Sequence, residues 1–327
     1  MPRALITGIT GQDGLYLAEL LLAKGYEVHG LVHGEHNPRA EVVAATVPDV
    51  VVHTGDLTDL PSLLRALTLS DPDEVYNLGA ISFVGYSWQN PHISTEVTAT
   101  GVLNLLEAIR LHSGDDPRRV RFFQASTSEM FGTVAESPQS ETTRLAPRSP
   151  YGVAKVFGHH LTGNYRDHYG FHASSGIMFN HESPRRGPEF VTRKVTRSVA
   201  RIALGLDDSL SLGSLDARRD WGFAGDFAEA MWLMLQQDEP DDYVVATGIT
   251  HSIRDLLDLA FTHVGVDDWS GLVRTDPRFV RPPEQNVLVG DASKARDRLG
   301  WQPSVSFEEL VAMMVEADLA EQRGARP

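Results

Sequence analysis

Tyr151 and Lys155 stand four positions apart in "SPYGVAK" (residues 149–155), next to a proline. In a helix the two side chains lie one turn apart on one face. Ser149 and Pro150 suit the opening of that helix, one as a side-chain cap and the other with its φ already set. An ammonium beside a phenol favours the phenolate, so the pair could form a base with a lowered pKa. The competing reading is a surface tyrosine beside a surface lysine.

A second set of residues bears on that choice. "ITGITGQDG" carries Gly8, Gly11 and Gly14 at three-residue spacing, after an apolar run and at the start of a helical pattern. Glycine lets a backbone approach a pyrophosphate, and the helix N-terminus supplies open N–H groups and a positive dipole end. Thr10, Gln12 and Asp13 belong to the same turn and are taken with it as dinucleotide contacts. Asp56 and Leu57, at the end of a later apolar run, could hold the adenine edge. The segment "HGEHNPR" follows the second run, where an acidic residue reads ribose hydroxyls and an arginine reads a 2′-phosphate. His33, Gly34, Glu35 and Arg39 leave both NAD and NADP open.

These residues need a scaffold, and the first half of the chain describes one. "RALIT", "EVHGLV", "VVVHTGDL", "EVYNLGA" and "VRFFQAST" read as strands, with helical patterns such as "LPSLLRAL" and "TGVLNLLEAIRLH" between some of them. Strands alternating with helices predict a Rossmann-type, doubly wound parallel α/β sheet, whose ligands sit at the carboxyl ends of the strands. The glycine turn, "GDL", "LGA" and "STSE" all fall at those ends. Residues 1–178 are expected to form the NAD(P)-binding domain. After about residue 180 Pro, Arg and Gly become frequent, so 179–327 is expected to be mainly a smaller α/β substrate-binding lobe, with a chain crossover back. Arg193, Arg197 and Arg201 recur every four residues and read as a solvated helix face, whereas Arg185 and Arg219 sit where guanidinium groups can clamp a diphosphate.

Composition narrows the function. A net charge of −15 argues against generic nucleic-acid or anionic-membrane binding. The absence of cysteine excludes disulfides, zinc–thiolate sites and cysteine nucleophiles, and no metal is expected. It also fits a reducing cytoplasm, the expected location. No stretch approaches the roughly 20 apolar residues that span a bilayer, and the first residues do not read as a signal peptide.

With the glycine turn, "STSE" and the Tyr–Lys pair in this order, the chain resembles the extended short-chain dehydrogenase/reductase superfamily, and within it the GDP-mannose 4,6-dehydratase family. The resemblance runs over nearly the whole chain, through "GITGQDGLYLAELL", "QASTSEMFG", "RSPYGVAK", "FNHESPRRGPEFVTRK", "LDARRDWGFAGDFAEAMWLMLQ" and "VVATGITHSIR". It implies a lyase that oxidises a nucleotide sugar transiently at C4, eliminates water across C5 and C6, and returns the hydride to C6. By the same resemblance Tyr151 is the general base, Lys155 its partner, Thr127 the hydroxyl that bonds the sugar O4, and Glu129 the dehydratase carboxylate. His181 and Arg186 match cofactor contacts, and Leu78, Ala80 and Ser82 line the same cleft. Asn180, Arg185, Lys194, Arg219, Arg281 and Glu284 match the sugar-nucleotide pocket, which Ser82 also borders. NADP is the implied cofactor, a small-molecule nucleotide sugar such as GDP-mannose the implied substrate, and a homodimer or homotetramer the implied assembly.

The chain departs from that family at named places. "HGEHNPRAEVV" replaces the usual paired arginines and serines after the second strand, which keeps NAD possible and bears on the tetramer. "GAISFVGYSW" puts Ile81 and Phe83 where polar side chains are usual, and Ile93 stands where a tyrosine is common. The alternatives at this point are a dehydratase, epimerase or 4-keto reductase acting on a UDP-, dTDP- or CDP-sugar, and a non-catalytic NAD(P) sensor. Sensors of that kind commonly lose the Tyr or the Lys, and both are present here.

Overall fold

A computed structural model of the chain describes residues 1–276 and 287–324. Most of the apolar runs become strands because their side chains are buried from both sides, as in β1 (Arg3–Thr7), β2 (Glu27–Val32), β4 (Glu74–Asn77) and β6 (Ala173–Met178), whereas the edge strand β3 (Val51–Thr54) is largely exposed. β1 (Arg3–Thr7) leads into α1 (Gln12–Ala23), β2 (Glu27–Val32), α2 (Ala40–Thr46), β3 (Val51–Thr54), α3 (Leu60–Ser70) and β4 (Glu74–Asn77). Two short helices follow, α4 (Val84–Gln89) and α5 (Pro91–Thr95), then a π-helical turn (Glu96–Thr100) that runs into α6 (Gly101–Ser113). β5 (Arg121–Thr127), a 3₁₀ turn (Ser128–Met130), α7 (Pro150–Tyr169) and β6 (Ala173–Met178) complete the first stretch. Beyond it lie β7 (Asn180–Glu182), α8 (Val191–Ala203), β8 (Leu210–Leu212), β9 (Arg218–Phe223), α9 (Ala224–Leu235) and β10 (Asp242–Val245). β11 (Thr250–Ser252), α10 (Ile253–His263), β12 (Val273–Thr275), α11 (Ser293–Leu299) and α12 (Phe307–Gly324) close the described chain.

Among the described residues seven strands form one parallel sheet in the order β10-β6-β5-β4-β1-β2-β3. Its order reverses beside β1, which makes the carboxyl ends of β1 and β4 the natural ligand crevice of this Rossmann-type sheet. Adjacent phenylalanines on β5 show how it is held: Phe122 is fully buried under α3 and α6, Phe123 under α1 and α9. Each contributes on the order of 2 kcal/mol through the apolar area it removes from water. β10 and α9 come from the second half of the chain yet pack on this sheet.

The second cluster gathers α8, α10, α12, β8 and β9. Here the structure corrects one expectation. Arg193 does not lie on a solvated face, because α12 packs on α8 and its Asp318, fully buried, takes Arg193 Nε at 2.7 Å. Glu321 takes the same guanidinium at 2.7 Å. Period-four arginines on one helix carry no information about a carboxylate more than a hundred residues later. No described helix is long and apolar enough to cross a membrane.

Candidate active site

The glycine turn has the geometry its spacing implied. Gly8 takes a φ of +73°, and a Cβ there would sit 2.8 Å from the backbone nitrogen of Gly79 beyond β4. At Gly14 a Cβ would sit 2.5 Å from Gly8 O and 2.6 Å from Ile9 Cα, so α1 lies against the end of β1 too closely for any side chain. Gly11 N donates to Gly8 O at 3.0 Å, and Gly11 caps α1 without a side-chain hydrogen bond. That leaves the positive helix end facing the crevice, a cradle that fits a pyrophosphate.

The first turn of α1 is tied to β7, on the far side of the crevice. Gln12 Nε2 donates to His181 O at 3.1 Å, Ser183 Oγ donates to Gln12 Oε1 at 2.7 Å, and His181 Nε2 lies 2.9 Å from Asp13 Oδ2. Burial raises the Asp13 pKa, but the His181 charge and hydrogen bond outweigh it and hold the carboxyl at about 2. Burial likewise opposes the His181 cation, and Asp13 more than offsets it, so that imidazole is shifted upward.

The Tyr–Lys helix begins as its sequence implies. Ser149 caps α7, accepting from Gly152 N at 3.0 Å, and Pro150 follows. Tyr151 and Lys155 are 7% and 4% exposed, one turn apart. Burial excludes the surface-pair reading. The Lys155 ammonium lies 5.7 Å from the centre of the Tyr151 ring and donates to Ala125 O on β5 at 2.7 Å. Burial brings its pKa down to about 8, with Asp13 opposing. The phenol differs from expectation. Burial pushes Tyr151 upward, the Glu129 carboxylate adds to the rise, and a Thr127 hydrogen bond and the Arg186 charge oppose it. Among this chain's own groups desolvation therefore wins, and the lysine does not by itself lower the phenol.

Thr127 ends β5, and its Oγ1 accepts from Glu129 N at 3.3 Å across the 3₁₀ turn. That turn presses on α7 closely enough that only glycine fits at position 152, where a Cβ would meet Glu129 O at 2.8 Å. Gln12, Asp13, Thr127, Glu129, Tyr151, Lys155, His181 and Arg186 thus share one electrostatic neighbourhood.

The remaining candidates are distributed around it. Thr10 is half-buried in the glycine turn, while Leu78 and Ala80 are half-buried beyond β4. Ser82 is exposed beside Phe83, whose ring packs edge-on to Phe190 at 5.8 Å. The Arg186 guanidinium lies 3.5 Å over Phe190, and its Nε is 3.0 Å from Glu182, an ion pair out of hydrogen-bond line. Asp56 follows β3 and accepts from Thr58 N at 2.8 Å, and buried Leu57 offers its carbonyl to Asn104 at 2.9 Å. Asn180 opens β7, half-buried. Lys194 Nζ donates to Ser211 O at 2.7 Å, and Arg219 on β9 donates to Arg218 O at 2.7 Å. Arg185 is held elsewhere: its fork grips Glu19 of α1 at 2.6 and 2.9 Å and stacks 4.3 Å over Tyr16. Arg281 and Glu284 lie outside the described residues.

Several partners were not legible beforehand. Ser183 and Ser87, the latter accepting from Tyr151 N at 3.4 Å, carry no motif signal of their own. A cross-strand ladder was equally hidden. Thr7 Oγ1 donates to Asn77 at 2.6 Å, Asn77 to Gln124 at 2.8 Å, and Gln124 to Ala125 O at 3.1 Å, the same carbonyl that holds Lys155. Polar residues at the ends of β1 and β4 and at the middle of β5 were its only trace.

The sequence model of the family described as GDP-mannose 4,6 dehydratase matches residues 5–314. The chain belongs to that family. Among GDP-mannose 4,6-dehydratases, GDP-mannose 4,6 dehydratase 1 of Arabidopsis thaliana is 53% identical over 324 residues, covering 97% of this chain and 89% of that one. The Homo sapiens GDP-mannose 4,6 dehydratase is 47% identical, covering 97% and 91%. Solved structures share the fold. A UDP-glucose 4-epimerase of Thermus thermophilus in complex with NAD is 29% identical, with a TM-score of 0.82 and 99% and 100% of the two chains covered. The dTDP-glucose 4,6-dehydratase DesIV of Streptomyces venezuelae, with NAD bound, is 25% identical at a TM-score of 0.83, covering 98% of each.

Proposed function

We propose that this protein converts GDP-mannose to GDP-4-keto-6-deoxymannose and water, as a hydro-lyase with a nicotinamide dinucleotide, NADP or NAD, as its cofactor. The observation that carries the reading is Glu129 beside Tyr151, Thr127 and Lys155 at the end of β5, facing the glycine turn. A dehydrogenase or an epimerase needs the Tyr–Lys pair but not that carboxyl. The cradle at Gly8 and Gly14, which any Cβ would fill, fits the cofactor pyrophosphate. Thr10, Gly11, Gln12 and Asp13 border it, Asp56 and Leu57 take the adenine end, and Leu78, Ala80, Ser82, His181 and Arg186 line the nicotinamide side.

A nicotinamide dinucleotide held at the Gly8 and Gly14 cradle would supply a reversible hydride acceptor for the sugar's C4 and C6. Tyr151 takes the C4 hydroxyl proton, oriented by Thr127 at the same oxygen, while Lys155 holds positive charge 5.7 Å from the centre of the phenol ring. The 4-keto group acidifies C5–H, and Glu129 removes that proton. The same carboxyl then protonates the departing C6 hydroxyl, which leaves as water, and C5 regains a proton from solvent. A positioned acid–base group of this kind contributes about 10²–10⁴-fold. Asn180, Lys194, Arg219, Arg281 and Glu284 are proposed to hold the nucleotide sugar, with Ser82 at its border. Arg185 is assigned differently from the sequence expectation. Its bidentate grip on Glu19 leaves it anchoring the turn after β7 to α1.

The test is mass spectrometry of GDP-, UDP- and dTDP-sugars incubated with the purified protein and catalytic NADP⁺ or NAD⁺. Loss of one water from GDP-mannose, without net cofactor reduction, is expected. Water loss from a different nucleotide sugar alone, or isomerisation without water loss, contradicts the proposal.

A further inference from the structure

The turn after β2 offers a choice between the two cofactors. A dinucleotide seated on a glycine turn sends its adenosine ribose toward the end of the second strand, where a residue about 20 positions past the turn reads the 2′ substituent. Glu35 stands 21 positions beyond Gly14. The ends of β2 and β3 lie side by side in register, Val32 against Thr54. A cavity of about 500 Å³ opens there, lined among others by His33, Gly34, Glu35, Asp56, Asp59 and Arg65.

The charges of that cavity are uneven. Among the described residues that line it, Glu35, Asp56 and Asp59 face one permanent cation, Arg65. Burial raises the Asp56 pKa, but the Thr58 hydrogen bonds and His33, 3.1 Å away, outweigh it and keep the carboxyl ionised. Asp59 caps α3, accepting from Ser62 N at 3.2 Å. Arg65 is exposed and bears on His53, inside β3 and short of its end. The turn is also compact. Asn37 Nδ2 donates to His33 O at 3.0 Å, and Arg39 N donates to Asn37 Oδ1 at 3.0 Å, which keeps Arg39 at the start of α2.

We propose that this turn selects NAD over NADP, with Glu35 accepting hydrogen bonds from the adenosine ribose diol. A carboxylate accepts from two hydroxyls at once but offers a 2′-phosphate no donor. The phosphate would bring about two further negative charges against Glu35 and Asp56, and like charges at close range disfavour one another. The proposal rests on the reading of the glycine turn as a dinucleotide cradle.

The test is calorimetric titration of the full-length protein, freed of copurified nucleotide, with NAD⁺, NADP⁺ and GDP in turn. Wild-type protein is expected to bind NAD⁺ about tenfold or more tighter than NADP⁺, the scale of one hydrogen-bonded charged contact. Glu35→Gln, an exposed substitution, should narrow that ratio several-fold and leave GDP affinity unchanged. Equal or tighter NADP⁺ binding in the wild type, or a ratio that Glu35→Gln does not move, overturns the proposal. Binding of GDP with neither dinucleotide overturns the cradle reading itself, and the selectivity with it.

Discussion

At the scale of the residue, the cost of the site is concentrated in Lys155. Its ammonium is nearly fully buried with one backbone acceptor, Ala125 O, and its pKa falls to about 8 from 10.5. The folded state thus binds this proton less tightly than the unfolded state. The penalty is complete below about pH 8 and relaxes as pH rises toward the unfolded value. Lys155→Met leaves nothing orphaned, because Gln124 still donates to Ala125 O. We predict that it raises the thermal unfolding midpoint while cutting turnover by about 10²-fold or more, the trade expected when an active site stores unfavourable burial. Calorimetry beside a kcat measurement checks it, and a lowered midpoint would contradict it. The pH profile follows from the same groups. Tyr151 is shifted upward, so kcat/KM should climb as pH rises from 6, then bend near pH 8 as Lys155 loses its charge. The Asp13–His181 pair behaves oppositely at the two ends of the scale. Asp13's contribution to stability is present above its unfolded pKa of about 3.8 and is lost as pH falls through about 2. His181's is complete below its unfolded pKa and is lost as pH rises through its higher folded value.

At the scale of the element, the clasp between α8 and α12 carries the second cluster. Asp318 is fully buried and takes both Arg193 Nε and Thr196 Oγ1, each at 2.7 Å. Burial raises its pKa, with those two partners opposing. Removing one member of such a pair leaves the other uncompensated, so Asp318→Ala should destabilise the fold by about 3–5 kcal/mol in denaturant titration. A change within error would show the pair to be dispensable. This clasp also marks where the sequence stops being informative. "RALIT" and "EVHGLV" coincide with β1 and β2, because each is specified by apolar spacing within itself. The π-helical turn before α6 has no such local signature. Arg193 reads as solvated until α12 is placed against it. Asp13 and His181, 168 positions apart, each match a motif, but their pairing exists only once β7 crosses to α1. The phenol of Tyr151 is a similar case: the spacing shows the lysine, while the stronger influence, burial, belongs to the folded chain.

At the scale of the whole molecule, one face remains open. Trp88 of α4, Ile93 of α5, and Val153 and Phe157 of α7 are 63, 40, 56 and 45% exposed. α7 carries Tyr151 inward and these two apolar side chains outward, so assembly and catalysis share a helix. We propose a homodimer or homotetramer built on this face, expected as a dimer or larger mass in light scattering and lost in a Val153→Arg, Phe157→Arg variant. A monomeric wild type would refute it. The central claim, that one fold oxidises, dehydrates and reduces the same sugar, is tested most directly in heavy water. GDP-mannose incubated with the protein and catalytic cofactor should yield a product that has lost one water, carries one deuterium at C5 and none at C6, and leaves no net reduced cofactor. Water loss with C5 unlabelled would remove Glu129 from the role given to it, and deuterium at C6 would contradict the internal return of hydride.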